Sequence, residues 1–213
     1  MSEDTVFALS SPVGGAIAIV RITGSGAYAA LGRVFRCKNA PEHRVMNYGH
    51  VIDSESGETI DSAMACFLEA PATYTGEDMA EIYIHGSRVI AKRTLSVLSR
   101  FLRPAEGGEF TKRAFMNGKL DLSQAEAVMD VISSVTEQGA RMAEEQLAGS
   151  IGSGIKDIED RLIDILSGVE AALDYPDELE EDTVSALGSE LAPIIDKLDY
   201  LIRGGNAARI FRE

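Results

Sequence analysis

A change in hydrophobic periodicity near residue 118 divides this chain of 213 residues into two parts that have to fold differently. Before that point, short β-branched runs bounded by turn residues predict strands, and they alternate with stretches of helical spacing. After it, the spacing of apolar residues is helical throughout. We therefore predict an α+β protein, with a small mixed-sheet α/β domain at residues 1–118 and an all-α bundle segment at residues 119–213.

The first part predicts strands and helices that follow one another in turn. Its clearest strand is 16–23, an apolar and β-branched run that ends in Gly24-Ser25-Gly26. Further strands are predicted at 6–9, 44–52, 59–67 and 79–85, and helices at 27–35 and 89–102. This order of elements is typical of a small α/β or α+β domain.

The second part predicts a helical hairpin. Ser123 and Glu126 have the spacing of a capping box that begins a first helix. Apolar residues three and four apart over 151–173 predict one long helix that Pro176 ends, and a second apolar stripe covers 184–201. Two stripes joined by a short loop favour an antiparallel pair, which needs further apolar cover. Because the chain stops without a helix cap, we expect it to be one part of a longer protein.

Charge excludes nucleic-acid binding by the second part alone. Residues 1–118 contain 12 Lys and Arg against 13 Asp and Glu, a net charge of −1. Residues 119–213 contain 8 against 21, a net charge of −13. A surface this acidic repels a phosphate backbone, so any contact with RNA has to use the first part or a partner.

The cysteine count and the hydropathy indicate the compartment. Cys37 and Cys66 are the only cysteines, too few for a disulfide framework or a Cys-based zinc site. The N-terminal sequence M-S-E-D lacks the basic start of a secretory signal, and no apolar run approaches the roughly 18 residues that span a bilayer. We expect a cytoplasmic protein with no membrane association and no metal site.

Motifs for nucleotide or metal chemistry are weak or missing. G-S-G-A-Y-A at 24–29 formally matches a dinucleotide fingerprint, but no acidic residue ends a following strand, so a plain turn is favoured. No G-x-x-x-x-G-K-S/T loop occurs, and we expect no GTPase activity and no catalytic residue in this chain. His43, His50 and His85 lack metal-ligand spacing, and His85 fits a turn as well as a site.

Three charged residues in apolar surroundings are the candidate site. Arg21 lies inside the first predicted strand, Glu81 lies inside the strand at 79–85, and Lys119 follows Asn117-Gly118. A charge in such a strand is costly unless it is paired, so one interpretation is a structural Arg21–Glu81 ion pair. The other is a ligand site, in which Glu81 accepts two hydrogen bonds from a pterin-like N–H edge and the cations bind carboxylates.

The sequence resembles the N-terminal part of the tRNA-modification GTPase family MnmE, also called TrmE. The stretches that carry the resemblance are G-A-I-A-I-V-R-I-T-G at 15–24, Y-T-G-E-D at 74–78, P-A-E-G-G-E-F-T-K-R-A-F at 104–115, N-G-K-L-D-L at 117–122 with Q-A-E-A at 124–127, and L-D-Y-P-D-E at 173–178. They follow one another along nearly the whole chain. The chain departs from the family pattern at Ser87, where a second glycine is usual, and in the loop 12–15.

The resemblance implies a function for the first domain. It implies binding of 5-formyltetrahydrofolate as a one-carbon donor, with contacts from Arg21, Glu81 and Lys119, and formation of a homodimer. For the whole protein it implies a GTPase domain after residue 213, dependent on Mg²⁺ and K⁺. Acting on tRNA with the flavin-dependent partner MnmG (GidA), such a protein adds a carboxymethylaminomethyl-type group to wobble uridine 34.

Two other functions are open to the residues. One is a stand-alone folate-dependent one-carbon transferase, for which His85 and Asp78 are the candidates for a general base. The other is a non-catalytic dimerisation or docking module, whose acidic helical part binds a basic partner.

Overall fold

The computed structural model describes residues 4–174 and 189–202. Contacts divide the chain into two units, Met1–Leu120 and Asp121–Glu213. The division falls two residues after the boundary predicted from periodicity, so Lys119 belongs to the first unit.

The first unit is built on a single mixed sheet. In the described residues its elements, in chain order, are β1 (Val6–Leu9), β2 (Ile17–Thr23), α1 (Ala27–Val34), β3 (Phe35–Cys37), β4 (Met46–Ile52), β5 (Thr59–Leu68), β6 (Met79–His85), α2 (Arg88–Leu98), β7 (Arg103–Pro104) and α3 (Glu109–Met116). The strand order is β3-β4-β5-β6-β2-β1-β7. Only the pair β1–β7 is parallel among these described strands. The predicted α+β class, with a mixed sheet followed by helices, is confirmed.

All five predicted strands and both predicted helices of this unit are present, with some ends shifted. The strand expected from Arg44 begins at Met46, because Arg44 has a φ of 60° and breaks the extended backbone. The second helix ends at Leu98 rather than at residue 102. Sequence periodicity misses β3, β7 and α3, because two or three residues are too short to show a period and α3 follows Gly108 at a φ of 76°.

Alternation along the strands places the core on one face of the sheet. In β2, Ala18, Val20 and Ile22 are fully buried. Ile17, the first residue of the strand, is exposed. Helices α1 and α2 contact the sheet, and their buried Leu31 and Leu98 join the same core. Burial of this apolar area is the main stabilising term for the unit.

The opposite face of the sheet is much less covered, and we call it the open face. Two rows of cross-strand partners lie on it: Ile19, Tyr83, Met64 and Tyr48 in one, and Arg21, Glu81, Cys66 and Met46 in the other. Tyr48 has 67% of its surface exposed, and Met46 and Met64 are also exposed. Exposed apolar side chains of this size on one face are typical of a surface that binds a ligand or another protein.

A buried arginine ties the ends of the first unit together. Arg113 on α3 has only 6% of its side chain exposed. Its guanidinium donates to Glu109 Oε1 at 2.8 Å, to Glu77 Oε2 at 3.0 Å and to the carbonyl of Asp4 at 3.0 Å. The carboxylates of Glu109, Glu77 and Asp4, the last at 3.2 Å, compensate the buried cation, and α3 is fastened to the N-terminal segment and to the loop before β6.

In the second unit the described helices are α4 (Leu122–Ser133), α5 (Glu137–Leu147) and α6 (Ser150–Asp174), with a further helical segment at 189–202. The predicted capping box of Ser123 and Glu126 is wrong. Asp121 is the N-cap instead, because its carboxylate accepts the Gln124 N–H at 2.8 Å and the Gln124 side chain accepts the Asp121 N–H at 2.8 Å. Ser123 only donates its hydroxyl to Asp121.

The predicted antiparallel helix pair is present. Lys197 forms an ion pair with Asp157 at 2.6 Å, and Leu201 lies beside Gly154, so the contacts run in opposite directions along the two helices. Ile158 is buried in the described structure, whereas other members of its stripe stay exposed. The part of the stripes at 175–188 lies outside the described residues. Within the described ranges, no helix combines the length and the low polarity that crossing a membrane requires.

Replacing Arg113 by Met is expected to lower the free energy of unfolding by about 3–5 kcal/mol, because Glu77 would lose its cation and Glu109 would keep only Arg103. The matched control is Arg93→Met, since Arg93 pairs with the exposed Glu58 at 2.9 Å and such surface pairs contribute less than about 1 kcal/mol. Urea unfolding followed by circular dichroism measures both. Equal losses in the two variants would contradict a stabilising role for the buried cluster.

Candidate functional site

The register of β2 against β6 brings two of the three predicted site residues into contact. Arg21 and Glu81 are directly opposite each other in the antiparallel pair. Arg21 Nε donates to Glu81 Oε1 at 2.8 Å, and Nη2 forms an ion-pair contact with the same oxygen at 2.8 Å. Arg21 has 30% of its side chain exposed and Glu81 has 14%. The ion pair offered as one interpretation of the sequence is therefore present, and it lies on the open face rather than in the core.

Two tyrosines complete the surroundings of this pair. The Tyr83 hydroxyl donates to Glu81 Oε2 at 2.5 Å. Burial, followed by the hydrogen bond to Glu81, raises the pKa of Tyr83 to about 12, so the phenol remains a neutral donor. On the other side, the guanidinium carbon of Arg21 lies 6.0 Å from the ring centroid of Tyr74.

Tyr74 belongs to the loop between β5 and β6, and this loop also receives Lys119. The Lys119 ammonium donates to the Pro71 carbonyl at 3.2 Å. Gly76, at a φ of 77°, lets the two segments approach, because a Cβ there would lie 3.2 Å from Lys119 Cγ and 3.1 Å from Asn117 Cβ. The Asn117 amide donates to the Thr75 carbonyl at 2.7 Å and fixes the approach.

The loop therefore connects the three predicted residues without bringing all of them into contact. Arg21 and Glu81 touch each other, and Arg21 also faces Tyr74. In the described part of the chain, Lys119 binds the loop backbone rather than Glu81. Glu81 can serve as a hydrogen-bond acceptor, while Arg21 and Lys119 supply two cations for an anionic group.

Sequence reasoning missed the two tyrosines as parts of the site. A signal for Tyr83 was present, because residues two apart on a strand share a face and Glu81 is one of them. Tyr74 had no such signal, since its place beside Arg21 depends on the path of the loop. Its hydroxyl is held by the Thr111 hydroxyl at 2.9 Å, from a helix that periodicity did not predict.

The structure also locates the candidates for a general base. His85 Nδ1 lies 2.8 Å from Asp61 Oδ1, and the same carboxylate accepts the His85 backbone N–H at 2.8 Å. Asp78 accepts the Ala70 N–H at 2.9 Å and so helps to close the loop before β6. Among the described residues, no three His, Cys, Asp or Glu side chains group closely enough to hold a metal ion.

A second charged cluster borders a cavity of about 390 Å³ on the first unit. Its lining includes Arg103, Glu109, Lys112 and Arg113. Arg103 and Arg113 both donate to Glu109 Oε1 at 2.8 Å. The hydrogen bond from Arg103, together with that from Arg113, lowers the pKa of Glu109 to about 2. The carboxylate and the two guanidiniums thus compensate each other.

The fold and the site define an α+β protein whose sheet domain presents paired charges on an open face and is followed by a helical unit. Comparison with known families agrees with this class. Residues 5–119 match the family described as GTP-binding protein TrmE N-terminus, and residues 122–213 match the MnmE helical domain. The chain belongs to this MnmE (TrmE) family.

Curated relatives carry the same name. The chain is 42% identical to a tRNA modification GTPase MnmE of Finegoldia magna, over 99% of the chain and 48% of the relative. It is 40% identical to the protein of that name from Acetivibrio thermocellus, over 99% and 47%, and 39% identical to that from Alkaliphilus metalliredigens, over 99% and 48%. The chain thus spans about half the length of the curated relatives it matches.

The second charged cluster, in which Arg103 and Arg113 bind Glu109, predicts that stability depends on pH. Because Glu109 titrates near 2 in the folded protein and at about 4.3 when unfolded, its contribution is present above pH 4–5 and is lost as the pH falls toward 2. Glu109→Gln is expected to be less stable at pH 7 and to lose less stability between pH 5 and 2.5. The control Glu58→Gln should keep the wild-type slope. The measurement is the urea midpoint of each variant between pH 5 and 2.5. If stability falls with pH equally steeply in the Glu109 variant and in wild type, the lowered pKa of Glu109 is refuted.

Proposed function

We propose that the first unit binds 5-formyltetrahydrofolate as a one-carbon donor at Arg21, Glu81 and Lys119. The observation that carries the proposal is a glutamate held between an arginine and a tyrosine on the open face of the sheet. Glu81 is mostly buried yet faces a surface rather than the core, so a planar ligand can reach it. A carboxylate in such a place is expensive to desolvate unless donors satisfy it.

The residues fit the chemistry of this ligand. Glu81 offers two oxygens to the parallel N–H donors on the edge of a pterin ring. Arg21 and Lys119 are cations that both lie against the loop of Tyr74, which suits the carboxylates of the folate tail. Tyr74 adds an aromatic surface beside Arg21 for a conjugated ring.

We further propose that the first unit forms a homodimer through the open face. Support comes from the exposed Tyr48, Met46 and Met64, which lie together on adjacent strands. The near-neutral charge of residues 1–118 permits two copies to approach without strong repulsion. Residues 119–213 carry a net charge of −13, so two copies of that part repel each other more strongly.

For the whole protein we propose the activity that the names of the relatives state. It would hydrolyse GTP, with Mg²⁺ and K⁺, in a region outside the 213 residues, because these contain no phosphate-binding G-x-x-x-x-G-K-S/T loop. With the flavin-dependent partner MnmG it would add a carboxymethylaminomethyl-type group to wobble uridine 34 of tRNA. The role of this chain would be to supply the folate site and the dimer contact.

The folate site predicts a large effect of one carboxylate. Glu81→Ala is expected to weaken binding of 5-formyltetrahydrofolate by about 2–3 kcal/mol, or roughly 30–150-fold, because a charged, bidentate acceptor is removed. Isothermal titration calorimetry measures the affinity. The control is Glu58→Ala, which removes an exposed glutamate paired with Arg93 on the same unit.

Two results would contradict the folate proposal. The first is no binding by the folded wild-type protein. The second is equal affinity of the Glu81 and Glu58 variants, which would leave the Arg21–Glu81 pair a purely structural ion pair.

The dimer predicts an effect of charge on the open face. Met64→Lys is expected to raise the dimer dissociation constant by about tenfold or more, because an interface would bury an unpaired ammonium. Val89→Lys is the matched control, since Val89 is an exposed apolar residue on α2 and α2 packs on the opposite face of the sheet. Sedimentation equilibrium of both variants gives the constants. A monomeric wild type, or equal effects of the two substitutions, would refute dimerisation through this face.

A further inference from the structure

The Glu81 carboxylate already has donors on both oxygens. Oε1 accepts the Arg21 Nε–H at 2.8 Å and lies 2.8 Å from Nη2 of the same guanidinium, and Oε2 accepts the Tyr83 hydroxyl at 2.5 Å. A ligand with two parallel N–H donors needs one lone pair on each oxygen. Each oxygen has two acceptor positions, so the ligand competes with Tyr83 where its edge approaches Oε2 from the side that the phenol occupies.

We propose that in the free protein the Tyr83 hydroxyl occupies the acceptor position on Glu81 Oε2 that the ligand uses. The hydroxyl leaves Oε2 when a heterocycle with an N–H edge binds. This inference rests on the proposed folate site. Tyr83 is then a positioning residue that keeps Glu81 oriented in the free protein and sets the affinity for the ligand through competition.

The donors on the two oxygens differ in how easily they are displaced. Arg21 is a cation that holds Oε1 through a hydrogen bond from Nε and an ion-pair contact from Nη2, so displacing it would separate opposite charges as well as break a hydrogen bond. Tyr83 contributes a single hydroxyl from a neutral phenol, since its raised pKa keeps it protonated. The hydroxyl on Oε2 is therefore the donor that a ligand displaces at the lower cost.

The surroundings of Tyr83 make that displacement costly enough to measure. Its cross-strand neighbours on the open face are Ile19 and Met64, which offer no side-chain oxygen. A displaced hydroxyl thus exchanges a short bond to a carboxylate for water. Part of the binding free energy of the ligand is spent on this exchange.

Removing the hydroxyl should strengthen binding. Tyr83→Phe keeps the ring on the sheet but leaves Oε2 free, so we expect 5-formyltetrahydrofolate to bind about tenfold more tightly than to wild type. The control is Tyr28→Phe, which removes the hydroxyl of an exposed tyrosine on α1, away from the open face, and should leave the affinity unchanged. Calorimetry gives the affinities, and thermal unfolding by circular dichroism shows that each variant is folded.

The possible outcomes separate this inference from the folate site itself. If wild type binds and Tyr83→Phe binds equally or more weakly, the competition is refuted while the folate site stands. If neither binds, the folate site is refuted and the competition with it. A second variant, Tyr83→Met, also lacks the hydroxyl and should show the same direction, so a gain confined to Phe would count as a change in ring packing and overturn the inference.

Discussion

The antiparallel pairing of β2 with β6 is the interaction on which both the core and the candidate site depend. Val20 and Ile82 are cross-strand partners that are fully buried, and the next pair along, Arg21 and Glu81, faces the other way. A shift of one residue would turn the charged pair into the core and expose the apolar pair. The burial of aliphatic side chains therefore fixes the geometry of the ion pair.

Much of this arrangement follows from local sequence, and the remainder does not. β-branched runs predict β2 and β6, and a charge inside each run points to a pairing, so Arg21 and Glu81 are predictable. Arg113 and Glu77 are different, because their contact depends on α3, which follows a left-handed Gly108, and on the path of a long loop. The cap of α4 was misassigned for a similar reason, since Asp121 and Ser123 both suit an N-cap and only geometry distinguishes them.

An ion pair and a ligand site are compatible uses of the same residues. In the free protein Arg21 and Tyr83 satisfy Glu81, which avoids the cost of a buried, unpaired carboxylate. The same contacts hold the side chain in one orientation, so a ligand meets an ordered acceptor. Affinity then depends on the difference between the donors that leave and those that arrive, rather than on the number of contacts in the complex.

The contact of Arg113 with the backbone of Asp4 joins residues 109 positions apart. The short strand β7 likewise pairs in parallel with β1, although nearly the whole sequence of the first unit separates the two strands. Such distant pairings form late, because a long loop has to close before they stabilise anything. On the ribosome, β1 therefore has one edge unpaired until β7 has emerged, and in that interval this edge is open to association with other nascent chains.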